Sequence, residues 1–337
     1  MERFTDYIPE NKAPAGVSRI AIYRPSGMRV GSFPLGGLEM PELGTMRYSF
    51  GALSDVHIGY DTAEEDLRRS LTWLKDRQVD FTCVCGDLTV GNQDSEWETY
   101  AAAVAAYSGG IPVYPVAGNH DCAGLGLTDN RFRQYTGQGL FYTFTQGEDV
   151  FIMLSQIAWP SQSGSVQPFA DYSLRSLQQA LEENRNRRCF VFQHNFLWGG
   201  SGDPMELYDS DALWSAQGRF LESLMEHYPN AIWFHGHSHQ KFQVQTQHHK
   251  ANYDFDRGCH SLHIPSLAMP VNVVGGVRVE EYGESQGYVV EVYDGHILLQ
   301  GMDFITGEPL LIARYCLETP LAEVAPDTYI DPTGTIL

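Results

Sequence analysis

The stretch FHGHSH, residues 234–239, ends an apolar run that begins at Ala231 and predicts a short buried strand. His237 and His239 are two residues apart, so their rings lie on the same side of an extended segment. Gly236 carries no side chain at a point where the backbone can approach other atoms closely. The stretch alone is a weak signal, and it gains weight from similar fragments elsewhere in the chain.

Four further fragments, each after an apolar run, offer the same kinds of atoms as the histidine pair. They are Asp55-Val56-His57, Gly86-Asp87, Gly118-Asn119-His120-Asp121 and His194. In open α/β sheets, ligands bind at the carboxyl ends of the strands. Because all five fragments stand at predicted strand ends, we expect their polar side chains to meet in one site.

Strands and helices alternate through the middle of the chain, and mostly strands follow. Apolar and β-rich runs predict strands at 47–53, 79–85, 111–116, 150–155, 189–193, 231–234, 241–246, 261–264, 287–293 and 296–302. Helical spacing and capping residues predict helices that begin near Thr62 and Ser95, and others over 173–187 and 211–227. This order predicts an α/β fold in which two sheets pack together with helices outside.

Three segments of the chain differ in composition. Residues 1–45 are rich in Gly and Pro and form an N-terminal extension that is partly irregular. Residues 46–275 contain all five polar fragments and constitute the main domain. Residues 276–337 form a C-terminal β-rich extension, which we expect to pack on the same domain.

The chain is acidic, with 22 Lys plus Arg against 42 Asp plus Glu and a formal net charge of -20. Such a surface repels phosphate backbones and anionic lipid, so we expect neither a nucleic-acid polymer nor a membrane as partner. The first residues are polar and no apolar run is long enough to span a bilayer, which favours a cytoplasmic location. The six cysteines are scattered, and we expect them to be buried free thiols.

The polar fragments supply seven candidate metal ligands, namely Asp55, His57, Asp87, Asn119, His194, His237 and His239. Hard oxygen and imidazole nitrogen donors suit Mn, Fe, Zn or a related divalent ion. Seven donors exceed what one tetrahedral site needs, and they suit two metal ions that share a bridging carboxylate. His120 remains as a partner for the substrate or its leaving group, and Asp121 is placed to orient it.

In kind and order, the five fragments resemble the signature of the calcineurin-like metallophosphoesterase superfamily. That signature runs Asp-x-His, Gly-Asp, Gly-Asn-His-Asp/Glu, a lone His and Gly-His-x-His, and here it covers residues 55–239. The resemblance implies a four-layer α/β/β/α sandwich of two mixed sheets flanked by helices.

The resemblance also implies a role for each candidate residue. One metal ion would be bound by Asp55, His57 and His239, and the other by Asn119, His194 and His237, with Asp87 as the bridge. His120 would protonate the leaving oxygen or steady the transition state, with Asp121 behind it.

Two of the fragments distinguish branches of the superfamily. In purple acid phosphatases a tyrosine follows the Gly-Asp block and the first block lacks its histidine, whereas this chain has Val90 and His57 at those positions. A tyrosinate-ligated ferric site is therefore not expected. Residues 86–89 and 118–121 look more like the branch of bacterial cyclic-nucleotide and glycerophosphodiester phosphodiesterases, although the acidic residue often found there near position 90 is absent.

The implied function is a metal-dependent phosphoesterase in which a metal-bridging hydroxide attacks a phosphate ester in line. A small-molecule phosphodiester is the preferred substrate, and a phosphomonoesterase or a protein phosphatase of the same fold is the alternative. A non-catalytic binding scaffold is a weaker hypothesis, because all seven ligands are present. Arg131 and Arg133 could each meet a phosphate, but surface ion pairs are the simpler interpretation. Oligomerisation stays open.

Overall fold

A computed structural model describes residues 20–23, 29–33, 43–124, 126–159, 166–197, 200–203, 216–244, 252–254, 258–274 and 277–318. The strands are β1 (Ile20–Tyr23), β2 (Arg29–Phe33), β3 (Met46–Leu53), β4 (Phe81–Cys85), β5 (Val113–Val116), β6 (Phe141–Gln146), β7 (Asp149–Leu154), β8 (Cys189–Phe192), β9 (Ala231–His235), β10 (Tyr253–Asp254), β11 (His260–His263), β12 (Val271–Val274), β13 (Val277–Glu280), β14 (Gln286–Tyr293), β15 (His296–Asp303) and β16 (Glu308–Glu318). The helices are α1 (Ala63–Asp76), α2 (Asp94–Tyr107), α3 (Asp129–Thr136), α4 (Asp171–Glu183) and α5 (Ala216–His227). None of these helices is long and apolar enough to cross a membrane.

Two mixed six-stranded sheets form the centre of the fold. The order of the first is β16-β15-β14-β3-β4-β5, and that of the second is β10-β11-β9-β8-β7-β6. In the first sheet β3, β4 and β5 are parallel, and β14 joins β3 antiparallel. In the second sheet β7, β8, β9 and β11 are parallel, while β6 and β10 are antiparallel to their neighbours. The carboxyl ends of the parallel strands within each sheet therefore share one edge.

Strands β4, β7, β8 and β9 are buried at every position. A sheet that is apolar on both faces must be covered on both sides. The inner faces cover each other, since Phe50 stacks on Phe81 at 5.2 Å and meets Phe151 of the opposite sheet edge to face at 5.4 Å. Helices α1 and α2 cover the outer face of the first sheet, and α4 and α5 cover that of the second. The predicted fold class is confirmed.

Several element boundaries differ from the predictions. Residues 241–244 contain a turn and no strand, and residues 245–246 lie outside the described part of the chain. The helix predicted from residue 211 is described only from Ala216 onward. Ser95 and Glu98 are the capping pair that the sequence predicts for α2, but the helix begins at Asp94, because the carboxylate of Glu96 accepts the backbone N–H of Gln93 at 2.9 Å. Helix α3 was not predicted, since Phe132 is its only buried residue.

Strands β14, β15 and β16 belong to the same sheet as β3. Asp294 and Gly295 join β14 to β15. The two segment boundaries drawn from composition, at residues 45 and 275, stay a prediction.

Replacement of Phe50 by alanine should lower the free energy of unfolding by about 3–5 kcal/mol, because the ring fills the space between the sheets. Chemical denaturation followed by circular dichroism measures this loss. Tyr172→Ala, at an exposed position of α4, is the control and should change stability by less than about 0.5 kcal/mol. Equal stability of the two variants would contradict the central role of Phe50.

Candidate metal centre

All seven predicted ligands follow the carboxyl ends of parallel strands, and both sheets contribute. Asp55 and His57 follow β3, Asp87 follows β4, Asn119 follows β5, His194 follows β8, and His237 and His239 follow β9. Because the sheets pack face to face, the loops after these strands meet at one edge of the sandwich. The fold therefore brings together residues that are far apart in the chain.

The carboxylate and imidazole atoms form two overlapping groups, each with ligand atoms within 4.8 Å of one another. The first group consists of Asp55, His57, Asp87 and His239, and the second of Asp87, His194 and His237. Asp87 belongs to both groups. Its Oδ2 lies 3.7 Å from Nε2 of His57 and 3.1 Å from Nε2 of His194.

Six atoms of the predicted ligands are buried and make no well-aligned hydrogen bond among the residues that the structure describes. They are Asp55 Oδ1, His57 Nδ1, Asp87 Oδ2, Asn119 Oδ1, His194 Nε2 and His239 Nδ1. Buried polar atoms are nearly always paired, since an unpaired one costs about 1–3 kcal/mol. The remaining oxygens of the two carboxylates are paired, because Asp55 Oδ2 accepts from Ser54 Oγ and Asp87 Oδ1 accepts from the His120 N–H. The unpaired atoms, with oxygen and imidazole donors side by side, fit divalent metal ions.

Five of the predicted ligands have a left-handed backbone conformation. They are Asp55, His57, Asp87, His237 and His239, with φ between 50° and 73°. This conformation is uncommon for residues other than glycine, and it persists only where the surroundings enforce it. Here the loops enforce it on one another, since Asp55 N–H donates to Gly86 O and His57 N–H donates to Asp87 O. The turns after the strands thus fix the backbone of these five residues.

Two close contacts fix the positions of Asp55 and His194. Gly236 lies so near Ser54 and Asp55 that a Cβ at this position would overlap Ser54 Oγ. The ring of His194 is fixed at 2.7 Å from the carbonyl oxygen of Cys85, to which Nδ1–H donates. This bond sets the tautomer and leaves Nε2 toward Asp87, as is usual for a histidine that binds a metal.

The carboxylates of the centre are held ionised by the histidines around them. Burial raises the pKa of Asp55, but His239 and His194 lower it to well below its usual value. Burial also raises the pKa of Asp87, and His194 and His57 outweigh this effect and lower it. Both carboxylates are therefore negatively charged near neutral pH.

The histidines differ in charge. Burial lowers the pKa of His57 and of His237 to about 3, so both rings are neutral near pH 7. Burial also disfavours a charge on His194, but Asp87 and Asp55 outweigh it and raise the pKa to about 9. His194 is therefore protonated near neutral pH, and a metal ion must displace this proton.

His120 is held by a backbone carbonyl. Its Nδ1 lies 2.8 Å from the carbonyl oxygen of Val90, so Nδ1–H donates there and Nε2 is the nitrogen left for a substrate. The carboxylate of Asp121, which we expected to orient this ring, instead accepts from the backbone N–H groups of Gly118, Leu88 and Thr89. The orienting group is therefore Val90, and Asp121 ties together the loops after β4 and β5.

The other polar side chains weighed in the sequence are engaged elsewhere. Arg131 Nη1 lies 2.7 Å from Asp94 Oδ1, and Arg133 Nη2 lies 3.0 Å from Asp129 Oδ2. Both arginines thus form ion pairs near the surface. His235 is also engaged by another side chain, with Nε2 at 2.8 Å from Ser201 Oγ.

Three contributors to the site could not be recognised in the sequence. The Val90 carbonyl carries no residue-specific signal, since every residue has one. Ser54 adjoins Asp55, but a serine before an aspartate is too common to be informative. Trp159 belongs to none of the fragments, yet its ring centroid lies 4.6 Å from that of His120.

Comparisons with known proteins identify the family and the fold. A sequence model of the calcineurin-like phosphoesterase family matches residues 48–241. The chain is similar in structure to a dimetal phosphatase from Danio rerio, with a TM-score of 0.60 and 14% identity over 82% of this chain and 100% of that one. It is also similar to a purple acid phosphatase from yellow lupin (Lupinus luteus), with a TM-score of 0.52 and 14% identity over 86% of this chain and 57% of that one. Identity this low shows a common fold alone, and no curated protein sequence matches the chain.

Replacement of Gly236 by alanine should weaken metal binding about 10- to 100-fold, because the added Cβ displaces Ser54 and Asp55. Calorimetric titration of the metal-free protein with Mn²⁺ measures the affinity. Gly295→Ala is the matched control, since nothing lies within 4 Å of a Cβ at that position. Wild-type affinity in the Gly236 variant would show that this contact does not position Asp55.

Metal binding should tighten as the pH rises from about 6.5 to 9, by up to about tenfold per unit, since the ion displaces the proton of His194. The folded pKa of about 9 sets the upper end of this window, above which no proton remains to be displaced. Titration calorimetry in buffers of different ionisation enthalpy should detect the released proton. His194→Asn removes the titrating ring and should flatten the dependence. An equally steep dependence in that variant would assign the proton to another group.

Proposed function

Because the chain belongs to the calcineurin-like phosphoesterase family and is a phosphoric ester hydrolase, we propose that it hydrolyses phosphodiesters of small molecules. The observation that most supports this proposal is that Asp87 belongs to both groups of candidate ligands. A shared carboxylate allows two metal ions to lie close enough to bind one phosphate. Asp87 is therefore the residue on which the proposal depends.

In this proposal, the seven candidate ligands hold two metal ions. One ion would be held by Asp55, His57 and His239, and the other by Asn119, His194 and His237. Asp87 would contribute to both sites. The ions would supply positive charge against the phosphate oxygens and lower the pKa of water. Oxygen and imidazole donors favour Mn, Fe or Zn.

His120 would assist departure of the leaving group. With Nδ1–H donated to Val90 O, the ring carries a proton on Nε2 only as the imidazolium. That form can donate the Nε2 proton to the leaving oxygen, which departs as an alcohol, and the ring returns to the neutral tautomer that Val90 holds. Transfer of this kind typically contributes a factor of about 10²–10⁴ to the rate.

The charges around the site favour a diester over a monoester. A diester carries one negative charge, whereas the second pKa of a phosphate monoester is about 6 and adds a further charge near neutral pH. Arg131 and Arg133, the cations weighed as phosphate partners, are held in ion pairs by Asp94 and Asp129. Neither arginine is therefore available to pair with the second negative charge of a monoester.

A cytoplasmic location is part of the same proposal. All six cysteines are buried, and none of them forms a disulfide in the described structure. Free thiols are the usual state in a reducing compartment, whereas secreted proteins tend to form disulfides.

Asp87→Asn and His120→Asn should both lower hydrolysis of bis(p-nitrophenyl) phosphate by at least about 100-fold, but for different reasons. The Asp87 variant loses the shared carboxylate and should also lose bound metal. The His120 variant keeps every predicted ligand and should retain it. Rates and metal content are measured on the same preparations, after reconstitution with Mn, Fe or Zn.

The same assay compares bis(p-nitrophenyl) phosphate with p-nitrophenyl phosphate. Faster hydrolysis of the monoester would overturn the proposed preference for diesters, but the chain would still be a phosphoesterase. Full activity of the Asp87 variant would refute the two-metal site.

A further inference from the structure

Five aromatic rings form a continuous row along one side of the metal centre. In order they are Trp159, His120, His57, Tyr60 and Tyr282, and consecutive ring centroids are 4.6, 4.8, 5.3 and 6.5 Å apart. Two residues within the row belong to the site: His57 is a predicted metal ligand, and His120 is the residue proposed to protonate the leaving group. The row thus connects the site with an exposed aromatic side chain at each end, Trp159 and Tyr282.

Trp159 is an exposed aromatic side chain next to a buried polar site. Its exposed fraction is 46%, whereas Trp97 and Trp233 are almost completely buried. The segment before it is fixed by the backbone of Ile157, which donates to Pro168 O at 2.7 Å and accepts from Leu127 N–H at 3.0 Å. The indole therefore presents an apolar surface to solvent from an anchored segment, as a stacking platform requires.

The position of Trp159 relates it to one part of the substrate. His120 would donate its Nε2 proton to the leaving oxygen, so the group attached to that oxygen must lie beside the His120 ring. Trp159 contacts the same ring at a centroid distance of 4.6 Å. The leaving group is thus the part of the substrate that the indole can reach.

We propose that Trp159 determines specificity for the leaving group by stacking on a flat aromatic ring within it. This inference rests on the proposed function, and it narrows the substrates to phosphodiesters with an aryl or nucleoside leaving group. Stacking on an indole selects flatness and tolerates different rings, since every aromatic ring has a π face. A neutral ring also avoids repulsion by a chain whose formal net charge is -20.

The test compares two diesters of equal size on the metal-reconstituted full chain. Methyl benzyl phosphate has a flat ring in its leaving group, and methyl cyclohexylmethyl phosphate has a puckered ring of the same carbon number. We expect the wild type to release benzyl alcohol with a kcat/KM roughly tenfold higher than that for cyclohexylmethanol, mainly through KM. Trp159→Ala should reduce the ratio to about one by slowing the benzyl ester alone, and Trp159→Phe should retain most of it.

Tyr172→Ala is the matched control, because Tyr172 has an exposed fraction of 48% and no contact with the row of rings is found in the described structure. This variant should keep the wild-type ratio. Adenosyl methyl phosphate is the third substrate, and a larger effect of Trp159→Ala on it than on the benzyl ester would identify the nucleoside as the natural leaving group. A larger effect on the benzyl ester would identify an aryl group.

Two outcomes overturn the inference, and they can be told apart from failure of the proposed function. Equal rates for benzyl and cyclohexylmethyl esters in the wild type, or an equal loss for both in Trp159→Ala, would mean that the indole only supports His120. In either case the chain remains a phosphodiesterase. Absence of hydrolysis of every diester, with p-nitrophenyl phosphate still cleaved, would instead refute the proposed function and the stacking role with it.

Discussion

Two carboxylates buried away from water, those of Asp55 and Asp87, impose the constraint on which the rest of this structure depends. An uncompensated charge inside a protein is strongly destabilising, so the surroundings must provide donors or positive charge. Ser54 and the backbone N–H groups of His237 and His120 supply donors to one oxygen of each carboxylate. The other oxygen of each faces an imidazole, since Asp55 Oδ1 lies 3.0 Å from Nε2 of His239 and Asp87 Oδ2 lies 3.1 Å from Nε2 of His194. Bound cations would complete this compensation.

The contact between the two sheets sets the dimensions of the metal centre. Ligands after β3, β4 and β5 come from the first sheet, and those after β8 and β9 come from the second. The separation of these two sets depends on the aromatic layer in which Phe50 and Phe81 meet Phe151. Rings of one size, packed closely, leave little freedom for the sheets to slide or separate. The core thus contributes to the geometry of the site as directly as the loops do.

The sequence predicts well which polar residues meet at one edge of the sandwich, because each stands directly after an apolar run. Strand ends of parallel sheets are adjacent in space, so a pattern that is local in the chain carries information about a distant contact. The grouping of ligands around Asp87 agrees with the roles implied by the family signature. The element ends were less predictable, as the start of α2 shows, because Glu96 and Glu98 offer the same chemistry two residues apart.

Contacts made by the backbone, or by residues outside the motifs, could not be predicted. Asp121 follows His120 in sequence, and this proximity suggested that it orients the ring. In the structure the 3-10 turn at 120–122 directs the carboxylate toward Gly118 and Thr89, while Val90 meets the imidazole. Trp159 reaches the same ring from a segment after β7, and only the tertiary structure shows it.

The place of β3 within its sheet has a consequence for the order of events during synthesis. This strand carries Asp55 and His57 at its end, and it pairs on one side with β4 and on the other with β14. Until residues 286–293 have left the ribosome, one edge of β3 presents unpaired N–H and C=O groups, which are a template for pairing with other chains. A nascent chain that has emerged to residue 285 therefore contains all seven candidate ligands, yet its first sheet is still open. During synthesis, the candidate ligands are thus all present before β14 can pair with the open edge of β3.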